Sequence, residues 1–100
     1  MGSTQPKHPG EYWGHVAPAD GQPGMAMDWP VDCQPAMDAA VRHVERWFDE
    51  QGYSSNLWAA FFAGRSEQES YTQRVAYEAA FFWRVQQRLM GTAASAVLHA

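Results

Sequence analysis

Four histidines, one cysteine and six arginines are the residues of this chain most able to do chemistry. His8, His15, His43 and His99 are scattered. None has a Glu three residues before it or a second His four residues away, so the helix-borne metal motifs are absent. Only His43 falls inside a predicted element, on the polar side of a helix, where it reads as a solvated surface residue. Cys33 stands alone, which rules out an intrachain disulfide and a cysteine-based metal cluster. It reads as a small apolar filler. No Gly-rich loop follows a strand to cradle phosphate, and no Ser stands in a nucleophile elbow. These groups are too few to form an active site within one chain, so any chemistry has to be shared with a partner.

The elements that would position them are helices. Pro35 suits a first helical turn, with Asp32 or Gln34 as its cap. From there Met37, Ala40, Val41, Val44, Trp47 and Phe48 recur at three- and four-residue spacing, predicting a helix over 35–51 with a Gly52 stop. Asp38 and Arg42 form a favourable surface pair on it. A second helix near 55–63 is capped by Ser54 or Ser55 and ended by Gly64. Its core, Leu57 to Ala63, is apolar on all sides and must be covered by this domain or by another. Ser66-Glu67-Gln68-Glu69 reads as a capping box opening a third helix over 66–90, with Gly91 as its stop. On that helix Tyr71, Val75, Ala79, Phe82, Trp83, Val85, Leu89 and Met90 share one broad face, expected to enter the core. The opposite arc carries Gln73, Arg74, Arg84, Gln87 and Arg88, and with them Tyr77 and Phe81. Aromatics among arginines on a polar face have the composition of interface hot spots. Residues 92–100 form a short tail.

Ahead of the helices, residues 1–34 hold five of the six prolines and five of the eight glycines. Proline fixes φ, removes a donor and restricts the residue before it, so this stretch reads as an extended arm without regular structure. Tyr12, Trp13, Met25, Met27 and Trp29 are poor company for pure disorder. The arm is expected to lie on a protein surface, with Trp13 and Trp29 entering a partner because three short helices leave them little core. The expected fold is therefore all-α: an arm (1–34), a three-helix domain (35–91) and a tail (92–100).

One hundred residues make one domain with a modest core, yet 14 of them are aromatic and five of those are Trp. Some of that area is expected against another protein. The formal charge is −4. Residues 1–34 contribute −3, with Lys7 against Glu11, Asp20, Asp28 and Asp32, while six Arg against seven acids leave the rest near neutral. Nothing here attracts a phosphate backbone, which disfavours a nucleic-acid role. The N-terminus has no apolar signal segment, and the longest apolar run, Leu57–Ala63, is far too short to span a bilayer. The expected compartment is the cytoplasm.

Gly14-His15-Val16, Pro23 and Asp28-Trp29, followed by a helix through Phe48, then Gly52, Phe61-Phe62, Tyr71 and Phe81-Phe82-Trp83-Arg84, stand in a particular order. In that order the chain resembles the N-terminal half of the nitrile hydratase β subunit, over most of residues 14–90. It departs from that family in a first helix about two turns longer and in having, where the family has a tyrosine pair, Phe81-Phe82 if Arg84 is aligned or Ala79-Ala80 if Trp83 is. Ala63 stands at the family's metal-site arginine, with Arg65 nearest, and the C-terminal β-barrel half is missing.

The resemblance implies a subunit of a three-subunit nitrile hydratase, a lyase that adds water to a nitrile to give an amide. Its partners would be an α subunit holding Co(III) or Fe(III) on cysteines and a separate β-barrel subunit. This chain would hold no metal or cofactor itself. It would supply aromatic pocket wall from Trp58, Phe62 and Trp83, and Arg65 as a catalytic cation on oxidised cysteine oxygens. Trp13, Trp29, Tyr77 and Phe81 would meet partner subunits. Two alternatives stand beside it. One is the cobalt-type nitrile hydratase activator, a metallochaperone whose Trp-Ala-x-x-Phe stretch is matched by Trp58-Ala59-Ala60-Phe61-Phe62. The other is an unrelated helical adaptor or inhibitor protein, which a Tyr77/Phe81 stripe suits equally well.

Overall fold

The computed structural model of the chain describes residues 12–29, 32–51 and 56–99. Strands β1 (Tyr12–Val16) and β2 (Met25–Trp29) pair antiparallel, in register from Tyr12 opposite Trp29 to Val16 opposite Met25. Asp20 and Gly21 lie between them at φ 55° and 74°, and Ala19 and Gln22 exchange backbone hydrogen bonds of 3.2 and 2.9 Å across that pair. Positive φ at both central residues is what a tight I′-type hairpin turn needs, and Asp-Gly is the dipeptide that supplies it. β2 alternates: Met25, Met27 and Trp29 are half-buried, Ala26 and Asp28 exposed.

The fold is therefore mostly helical with a small two-stranded sheet, not all-α, and the arm is a hairpin over 12–29. Its own helices hold it. The Gln34 amide accepts from the His15 N–H (2.8 Å) and donates to the His15 carbonyl (2.9 Å), closing the edge of β1 at that residue. Val16 is buried, and Met25 and Trp29 pack against the core.

Helix α1 (Gln34–Arg46) starts from Cys33 with Pro35 in its first turn, and the Gln34 N–H is taken by Asp32 Oδ1 at 3.1 Å. It buries Ala36, Met37, Ala40 and Val44, then widens into a π-helical turn over Trp47–Gln51. Trp47 is buried there, with Phe48 edge-on to it at 5.2 Å. Helix α2 (Leu57–Ser66) is capped by Asn56, whose Oδ1 accepts the Trp58 N–H at 2.8 Å. Gly52, Ser54 and Ser55 lie outside the described residues.

Helix α3 (Tyr71–His99) opens on a reciprocal cap, Gln73 N–H to Ser70 Oγ (3.1 Å) and Ser70 N–H to Gln73 Oε1 (3.2 Å). The capping box sits four residues later than the sequence suggested, and Ser66 closes α2 instead. Neither Gly64 nor Gly91 is a stop. Both lie inside helices where another part of the chain crosses closely, and a side chain on Gly91 would meet Asp20 of the hairpin turn. The tail expected from residue 92 is helix through His99.

α1 and α3 share the largest contact between helices. Alanines on both, Ala36 and Ala40 against Ala76 and Ala80, let the backbones approach, and Met37, Val44, Phe61, Tyr77 and Phe81 fill the space around them. The molecule measures 50 × 33 × 15 Å. A body that thin leaves one side of its helices without a covering layer.

Candidate interaction surface

Helix α3 faces the opposite way from its predicted orientation. The arc carrying arginines is the packed one: Ala76, Tyr77, Ala80, Phe81, Arg84 and Gln87 are all buried. The charges go inward because α1 meets them. Glu45 accepts hydrogen bonds from both Arg84 and Arg88, and Asp49 accepts from Arg88 at 2.9 Å. Asp20, in the hairpin turn, stands 3.7 Å from Arg84 and 3.9 Å from Arg88. The Arg88 hydrogen bond holds the Asp49 carboxyl below the usual carboxylate range. The Arg88 guanidinium also lies 4.7 Å from the centre of the Phe48 ring.

The same arc clamps the hairpin. Gln87 takes a hydrogen bond from Arg84 and donates to the carbonyls of Ala17 (2.9 Å) and Pro23 (3.1 Å), while Trp83 Nε1 donates to Pro23 at 3.0 Å.

His43 is half-buried rather than solvated. Its Nδ1 lies 2.7 Å from Tyr77 Oη, directly beside Gly64, where any side chain would overlap that hydroxyl. Burial pushes the Tyr77 phenol well above its ordinary range and the His43 imidazole below its own. Tyr77 therefore donates and neutral His43 accepts.

The other side of α3 is open. Tyr71, Phe82, Leu89 and Met90 are 71%, 49%, 56% and 51% exposed, and from α2 Trp58 and Phe62 are 59% and 56% exposed. Spacings of seven and eleven residues return Tyr71, Phe82 and Leu89 to one side of α3. Trp58 stacks on Phe62 (5.3 Å, 17°) and meets Phe82 edge-on at 6.4 Å. Between α2 and α3 this surface dips into a recess of about 100 Å³ lined by Leu57, Trp58, Phe61, Phe81, Phe82 and Val85. Six large apolar side chains in the open have the composition of a docking surface.

The sequence-derived site residues do not converge. Trp58 and Phe62 lie on the open face. Trp83 is half-buried and hydrogen-bonded to the hairpin, and Arg65, in the last turn of α2, is tied to Glu78 of α3 instead of pointing away from the domain. Trp29 packs on the chain's own core, and the Trp13 side chain lies outside the described residues. Tyr77 and Phe81, expected as an exposed stripe, are 0% and 1% exposed. Among the described residues no three His, Cys, Asp or Glu gather to hold a metal, and no helix is long and apolar enough to cross a membrane.

The profile of the family described as LasR-specific antiactivator QslA matches residues 18–89. The chain belongs to that family. A chain in the crystal structure titled LasR LBD-QslA complex, from Pseudomonas aeruginosa, is 42% identical to it. The two superpose with a TM-score of 0.74 over 80% of this chain and 84% of that one. No curated protein matches.

Membership in the QslA family overturns the nitrile hydratase resemblance, both as enzyme subunit and as activator. The order of motifs that carried it is an order of helices and aromatics that short α-rich chains can share. With it go the lyase activity, the nitrile pocket, the α and β-barrel partners, the catalytic role of Arg65, and the reason to expect cobalt or iron nearby. Of the readings weighed from sequence, the helical inhibitor fits the family, although the Tyr77/Phe81 stripe that suggested it is core. The residues missed are Tyr71, Phe82, Leu89 and Met90. A readable signal existed: Glu45 at the end of α1 and Asp49 in the π-helical turn after it are four apart, as are Arg84 and Arg88 on α3. Two such pairs can zip one helix to the other.

Proposed function

We propose that this chain is an antiactivator that works by binding, without turnover, to the LBD of a LasR-type activator through the open face of α2 and α3. The relative solved in complex with the LasR LBD supports the choice of partner. The single observation that supports the choice of face is the run Trp58, Phe62, Phe82, Leu89 and Met90, about half or more exposed on a chain whose other apolar stripes are packed. Trp and other aromatics in such a cluster carry binding energy well above their share of the contact area, each hot spot contributing about 2 kcal/mol or more on truncation. The arginine network contributes by leaving this side apolar, since four of the charges that α1 and α3 carry are spent on each other.

Mixing the purified chain with the Pseudomonas aeruginosa LasR LBD should give a complex resolvable by size-exclusion chromatography with light scattering. Trp58→Ser should weaken it by about tenfold or more, the equivalent of 1.4 kcal/mol. Absence of any complex with the parental chain at high micromolar concentration would refute the reading.

A further inference from the structure

We infer that the recess between α2 and α3 is an anchor socket that receives one apolar side chain of the LBD. This rests on the proposed binding to that domain. Phe61 and Phe81 form the floor and are 4% and 1% exposed, their rings edge-on at 5.1 Å. Phe81 is held in turn by Tyr77 at 5.7 Å. The floor is thus part of the core and does not have to be ordered on binding, which removes a cost that a flexible patch would carry. Trp58 and Phe82 form the walls, each about half exposed.

The chemistry of the occupant follows from the lining. Every side chain around the socket is apolar, so water inside it finds few hydrogen-bond partners, and replacing that water with an apolar group is favourable. Two other recesses contrast with it. One is edged by His43, Arg46 and Glu67, the other by His15, Asp38 and Arg42, and both offer hydrogen-bond partners to water. Size limits the number: a recess of about 100 Å³ that is open on one side takes one side chain. Trp58, backed by Phe62 stacked on it, and Phe82 wall the recess and would exclude water from the seated side chain, the arrangement in which one residue dominates an interface.

The test is a titration of the Pseudomonas aeruginosa LasR LBD with the full chain and its variants, each checked by thermal melting. Val85→Phe and Leu57→Trp fill the socket from opposite walls, and Phe82→Ala removes a wall without adding volume. Each should raise Kd at least tenfold, while Arg42→Gln, exposed on α1 and outside the open face, should change it less than threefold. If a filled variant melts early, Phe82→Ala, at a half-exposed position, decides the matter. Parental affinity in the folded variants overturns the socket while leaving the partner intact. Failure of the parental chain to bind overturns the partner and the socket with it. Unchanged LBD affinity alongside lost self-association in sedimentation would assign the socket to a second copy and also overturn the inference.

Discussion

The two sides of α3 invert the usual rule. The side with Arg84 and Gln87 is buried, with Arg88 half-buried at its end, and the side with Tyr71, Phe82, Leu89 and Met90 is open. Burying charge is costly unless every charge is paired, and here Glu45, Asp49 and Asp20 pair them while Gln87 uses its amide on the hairpin. An apolar side left open is equally costly to a free-standing domain, because it exposes area that folding could have removed from water. A chain that accepts both fits the proposed role in binding another protein. Its internal packing uses polar complementarity, and its open apolar side is the surface proposed to meet the partner.

Adjacent residues give the sharpest way to break that comparison. Phe81 is 1% exposed and Phe82 49%, one on each side. Phe81→Ala should cost about 3–5 kcal/mol in stability, the range for emptying an aromatic from a core. Phe82→Ala should cost about 1 kcal/mol or less, since much of its ring is already in water. Urea unfolding followed by circular dichroism measures both. Equal costs would mean that α3 sits rotated from the orientation described, and the open face would lose its basis.

The charged side is tested at Glu45, which serves two arginines. Glu45→Ala leaves Arg84, 8% exposed, without its closest acceptor and should cost about 1–3 kcal/mol. If the cost comes from an orphaned charge, and not from lost helix propensity, Arg84→Met in the same chain should recover part of it, because an apolar pair of similar shape often replaces a buried ion pair without penalty. A double-mutant cycle by urea unfolding reads this directly. Strict additivity would reduce the network to surface decoration.

Much of the helical frame was legible because its signals are local. The stripe Met37, Ala40, Val44 and Trp47 reads the same in sequence and in the folded chain, since one periodic face meeting one core leaves no ambiguity. The hairpin was legible too, in Asp20-Gly21 and in the alternation from Met25 to Trp29, but the density of prolines around it outweighed those cues. The orientation of α3 was not readable from that helix alone. Both of its sides carry aromatics, and which one packs is decided by acids more than thirty residues away on α1. The open face was misassigned for the same reason: hydrophobicity fixes what should be covered, not which molecule covers it.

The smallest expected effect concerns the join between the two sides, where His43 of α1 meets Tyr77 of α3 against Gly64 of α2. Burial lowers the His43 pKa, with Arg42 and Arg46 acting in the same direction and Glu67 opposing. A base whose folded pKa lies below its unfolded value of about 6.5 favours the neutral form in the fold. Its contribution to stability is therefore complete above that unfolded value and is lost as pH falls through it toward the folded one. Protonation also turns Nδ1 into a donor facing the Tyr77 hydroxyl, which then has to give up its own donation there. Unfolding free energy should thus decline between pH 7.5 and pH 5.5 more in the parental chain than in His43→Gln, whose amide stays neutral across that range. Parallel curves for the two proteins would place the imidazole in water and remove it from the packing of α3. A His43→Gln chain that also keeps its affinity for the LBD at both pH values would separate the two sides cleanly, because the join would then tune the fold without touching the surface that binds.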